Sequence, residues 1–112
     1  MKFLCLAFGD QAGWDSLTDD EKAEVLAQDD VIRSRGATMS AVRPQVTSVR
    51  NWDKKLEISK QPHATSLTLA GFSIIEAEDI DEVVKMVANT PCARGKGVIE
   101  IRPFWNANAS AA

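Results

Sequence analysis

Residues 3–8 read FLCLAF, six positions without one polar side chain. Successive side chains of a strand point to opposite faces, so Phe3, Cys5 and Ala7 face one way and Leu4, Leu6 and Phe8 the other. An antiparallel sheet covered on one side alternates apolar with polar residues. This strand does not alternate, so its sheet needs cover on both faces. The run closes at Gly9-Asp10, a turn pair.

The rest of the 112-residue chain limits what that cover is. Thr18 and Glu21 form a T-x-x-E capping box, with Asp19 and Asp20 at the positive end of the helix dipole. The helix they open runs to Gly36, with Arg33 and Arg35 in its last turn. Pro44 interrupts the next stretch, and residues 46–52 and 56–59 read as a hairpin around Asp53-Lys54-Lys55. Residues 60–69 read as a loop and residues 71–77 as a strand. Asp79 and Glu82 open a second helix that presents Val83, Met86 and Val87 on one face and ends at Pro91. Residues 97–104 make the last strand, with Ile99 and Ile101 on one face and Val98, Glu100, Arg102 and Phe104 on the other.

The order is β-α-β-(hairpin)-β-α-β. It predicts an α+β, ferredoxin-like split βαβ fold, an antiparallel sheet with two helices on one face. No third helix remains for the second face. Another subunit's sheet is the economical cover, so the sequence predicts a homodimer through sheet-to-sheet contact, a dimeric α/β barrel. The space between the sheets, partly polar through Glu100 and Arg102, is then a candidate small-molecule site. Residues 1–106 are expected to form one domain and residues 107–112 a disordered tail.

A net charge of −3 gives no basic excess for holding nucleic acid. The apolar run at the N-terminus is shorter than a signal core, and no stretch reaches the ~20 residues of a membrane span. The expected location is the cytoplasm, where Cys5 and Cys92 stay reduced. One histidine and no CxxC pair argue against a metal site, and no phosphate-binding glycine motif occurs. No cofactor is expected.

The chain resembles the YCII-related family, also called DGPF-domain proteins. Gly9, Asp10, Trp14, Leu17, Thr18 and Glu21 match the family's opening strand, turn and helix start. Gly71, Asp79, Asp81, Glu82 and Pro91, followed by Glu100, Arg102, Pro103 and Trp105, match its later strand, helix and closing strand. The resemblance implies a dimeric α/β barrel. It implies little about reaction: relatives include a dehydrochlorinase, a His–Asp pair has been proposed as catalytic in some members, and others are associated with sigma factors. The Asp-Gly-Pro-Phe signature would lie over Lys60, Gln61, Pro62 and His63, of which Pro62 alone is retained.

His63, the single histidine, is the first candidate for acid–base work. The alternative is a loop imidazole. Val25, Asp29 and Ile32 share a helix face, so Asp29 should take a partner or a raised pKa. The helix could instead rotate to bury Val31 and leave Asp29 on the rim. His63 and Asp29 are thus the catalytic candidates, and Arg102, Glu100, Arg50 and Trp52 the ligand-binding ones. The expected function is a small-molecule-binding dimer, as a cofactor-free acid/base enzyme of lyase, isomerase or dehydrohalogenase type. The alternative is a non-catalytic regulatory or protein-interaction module, for example one associated with a sigma factor.

Overall fold

A computed structural model describes residues 1–62 and 67–104. Six strands and four helices follow in the order β1 Lys2–Phe8, α1 Gln11–Asp15, α2 Asp19–Ser34, β2 Thr38–Ala41, β3 Ser48–Arg50, β4 Glu57–Ser59, β5 Leu69–Glu76, α3 Ile80–Val87, α4 Pro91–Arg94 and β6 Val98–Pro103. Strands β2, β5, β1 and β6 form one sheet in that spatial order, and β3 and β4 form a separate two-stranded ribbon. Every pairing is antiparallel. Leaving the ribbon aside, this is the split βαβ order the sequence predicts.

Strand β1 is central. Cys5 stands opposite Ser73 on β5 and Ile101 on β6. The alternation read from the sequence decides what each face meets. Phe3, Cys5, Ser73 and Ile75 are buried, and Met39, Ile99 and Ile101 are half-buried beside them. They pack with Ile32 from α2 and with Val83, Met86 and Val87 from α3. The opposite face carries Leu4, Leu6, Phe8, Phe72 and Ile74, all half-buried, with Val98 and Phe104 exposed. No described helix lies over it.

The helix ends follow local chemistry. The Thr18 hydroxyl accepts from the Glu21 amide at 3.1 Å, and the Glu21 carboxylate accepts from the Thr18 amide at 2.9 Å. This reciprocal pair is the capping box. Asp79 accepts from the Glu82 amide at 2.9 Å, but Glu82 reaches back to the Glu78 amide instead of the cap. Gly36, with φ of 91°, sits just past the end of α2, where a side chain would be strained. Two features differ from expectation. Residues 11–15 form a helical turn capped by Asp10. The helix expected to run to Pro91 stops at Val87, and Pro91 starts α4, since proline suits a first helical position.

Candidate functional site

Helix α2 buries Val25 and Ile32 completely, and Ile32 joins the core with Phe3, Cys5 and Ile75 of the sheet. Asp29 lies between them in the helical stripe and is half-buried, whereas Val31 is 50% exposed. The helix therefore takes the rotation that turns Asp29 inward. Gln28 fixes that rotation by donating from Nε2 to the Met86 carbonyl on α3 at 2.7 Å.

Asp29 faces a cavity of about 220 Å³ between the helices and the sheet. Its walls include Cys5 from β1, Ser73 from β5, Met39 from β2, and Thr90 and Cys92 from the start of α4. Among the described residues, no side chain hydrogen-bonds to or ion-pairs with the Asp29 carboxylate; the neighbouring Arg33 pairs with Asp30 at 3.1 Å. Burial pushes the Asp29 pKa above its ordinary 3.8, the positive charge of Arg33 opposes that rise, and Asp30 adds to it. Burial also raises the Cys92 thiol, and the Asp29 carboxylate raises it further. Cys5 is raised by burial, partly offset by a hydrogen bond with Ser73.

A second cavity of about 310 Å³ adjoins the first through Ala70, Pro91 and Cys92. Gly9, Asp10 and Trp14 line one side, and Val42, Pro44 and Leu69 another. Lys22 lies over the Trp14 ring, 5.4 Å from its centre. These two adjoining spaces, together called the trough, have the Asp29 carboxyl in the wall of the first, or inner, one and the Trp14 indole in the wall of the second, or outer, one. A single-ring molecule suits the inner part, since cavities for larger ligands run to about 300–1,000 Å³.

The other candidates stand elsewhere. Glu100 and Arg102 form an ion pair at 2.8 Å on the helix-free face of edge strand β6. Arg50 stacks 4.3 Å from the Trp52 ring centre and lies 3.8 Å from Glu57, all on the ribbon. The two pairs are on separate sheets, and neither lines the Asp29 trough. His63 and Trp105 lie outside the described residues. Cys92 was not singled out by sequence reasoning for this site. Its one signal is its position just after Pro91, where a helix start aims it back towards the sheet.

Among the described residues, no group of three or more His, Cys, Asp or Glu side chains is placed to hold a metal ion. No described helix is long and apolar enough to cross a membrane.

The architecture is that of a ferredoxin-like α+β domain. The sequence matches the YCII-related domain over residues 1–108, and the chain belongs to that family. No curated protein matches it. Among solved structures it is similar to 5-chloro-2-hydroxyhydroquinone dehydrochlorinase from Burkholderia phenoliruptrix AC1100, in complex with 2,5-dihydroxybenzoquinone. That similarity has 16% identity, covers 96% of each chain and has a TM-score of 0.49.

Proposed function

We propose that this protein is a dimeric, cytoplasmic small-molecule enzyme whose site is the Asp29 trough. Asp29 carries the reading: a half-buried carboxyl with no partner among the described side chains, turned into a cavity with mainly apolar walls. A carboxyl with a raised pKa is suited to exchanging a proton with a bound molecule nearer neutral pH than an ordinary aspartate. The reaction class is cofactor-free acid/base chemistry of lyase, isomerase or dehydrohalogenase type on a small ring or hydroxy-acid compound. His63 is the proposed second acid/base group, with Asp29 orienting it. The polar side chains of β6 and the ribbon, Glu100, Arg102, Arg50 and Trp52, are proposed to contact ligand only where a second subunit brings them to a shared cavity.

The helix-free face of the sheet supports the dimer. Leu4, Leu6, Phe8, Phe72 and Ile74 form an apolar patch that a second copy of the same sheet would cover. A non-catalytic interaction module, such as a sigma-factor partner, is the competing reading. Its support is the exposed apolar side chains of the ribbon.

Ligand-observed NMR with single-ring phenols, quinols and hydroxy acids tests the reading on the parent chain and on Asp29→Asn. Binders whose affinity changes on substitution of Asp29 are expected. A protein that binds none of them, or binds them equally well without the carboxylate, overturns the enzymatic reading.

A further inference from the structure

The β3–β4 ribbon obeys the period of two as strictly as the main sheet. Val49 pairs with Ile58, and Leu56 lies two positions before Ile58, just outside β4. Arg50 pairs with Glu57, and Ser48 with Ser59, on the other face. The apolar side chains are bare: Val49 is 67% exposed, Leu56 63% and Ile58 61%. A ribbon of two short strands is marginally stable in water when nothing packs on it. The sequence nonetheless places apolar and β-branched residues at the positions that would meet a covering surface.

We propose that this ribbon is an arm that docks on a second copy of the chain. The inference rests on the sheet-to-sheet dimer proposed above. Two observations choose that occupant. The first is area. Four strands about 4.8 Å apart and about six residues long give a sheet face of about 19 by 20 Å, or about 400 Å² in plan. Accessible area exceeds plan area because side chains stand out of the sheet, but such a face reaches only the lower part of the about 800 Å² per partner that stable interfaces bury, and the arm adds further bare apolar surface. The second is charge. Residues 46–62 hold Arg50, Lys54, Lys55 and Lys60 against Asp53 and Glu57, a net +2. The whole chain carries −3, so the remainder carries −5. A basic arm is attracted to the acidic body of another copy.

Docking has a consequence for the trough. Val42 and Pro44, just before the arm, line its outer cavity, as do Thr68 and Leu69 just after the arm. An arm held by the partner therefore fixes the mouth of the site from which it springs.

Hydrogen exchange of the full chain, followed at concentrations on both sides of dimer dissociation, tests the docking. The amides of the β3–β4 ladder should be protected at least tenfold more in the dimer than in the monomer. The double substitution Val49→Asp with Ile58→Asp should raise the dimer dissociation constant at least tenfold and leave the circular dichroism of the body unchanged. A dimer with an unprotected arm and an unchanged dissociation constant overturns the docked arm and leaves the sheet dimer standing. A chain that stays monomeric at millimolar concentration overturns both. An arm equally protected in monomer and dimer packs on its own chain, which also overturns the proposal.

Discussion

Asp29 and Cys92, carried by different helices, line the same cavity, and the carboxylate's charge adds to the rise that burial gives the thiol's pKa. Each group thereby reports on the other. The thiolate is the form that alkylates, so anything that lowers the Cys92 pKa speeds its labelling. Asp29→Asn removes the negative charge and should accelerate iodoacetamide labelling of Cys92 about two- to fivefold, since a full pKa unit is tenfold in thiolate. Mass spectrometry of the peptide containing Cys92, at one fixed pH, measures it. An unchanged rate would mean that the two groups do not share the cavity.

The same carboxyl makes stability depend on pH. Burial is the largest cause of its raised pKa. The folded chain then holds this proton more tightly than the unfolded chain does. The group's contribution is complete below the ordinary value of 3.8 and is lost as pH rises through the raised one. Asp29→Asn removes the charged form altogether. The variant should be more stable than the parent near neutral pH and indistinguishable from it in acid, as read from urea midpoints at both pH values. Equal midpoints throughout would place the carboxylate in water.

His63 offers an assignment-free test of the dyad, because the chain has one histidine. A facing carboxylate stabilises the imidazolium and raises its pKa above the ordinary ~6.5. Proton NMR titration should find that rise in the parent and its loss in Asp29→Asn. An ordinary titration indifferent to Asp29 leaves Asp29 as the acid/base group of the trough without a histidine partner.

The fold was legible where side-chain periodicity acts over several residues. The unbroken run at residues 3–8 and the alternation in β6 foretold which side chains share a face of the sheet. The Val25–Asp29–Ile32 stripe left two helix rotations open, and the half-buried Asp29 beside an exposed Val31 shows the one that turns the carboxylate inward. What was not legible has short range or depends on three elements at once. Helices of five and four residues, α1 and α4, are too brief to show a period of 3.6. The trough exists because α2, α4 and the sheet do not close on each other. No single segment encodes that gap, so Cys92 could not be connected with Asp29 in advance.

The α1–α4 contact is tight enough to predict a packing failure. Gly13 and Gly95 approach backbone to backbone, and a Cβ on Gly13 would overlap the Gly95 carbonyl oxygen. The two nearest neighbours of that Cβ are main chain of Gly95, which cannot swing aside as a side chain would. Gly13→Ala should destabilise the chain by about 1–3 kcal/mol, the usual cost of overpacking. Thermal denaturation should show a midpoint several degrees lower. An unchanged midpoint would mean that the two helices separate freely.

The helix-free face gives the most direct test of assembly. Leu6 is on the central strand, opposite Phe72 on β5 and Glu100 on β6, so it stands near the middle of the proposed sheet-to-sheet contact. It points away from the core formed by Phe3 and Cys5, which leaves the fold of one chain little dependent on it. Leu6→Glu would bury a carboxylate opposite Glu100 if a second sheet covers this face, and burying such an unpaired charge costs several kcal/mol. Sedimentation equilibrium should show a dimer for the parent and at least tenfold weaker association for the variant, with unchanged circular dichroism. A variant that dimerises as tightly as the parent would mean that the subunits meet elsewhere and that the apolar face serves another partner.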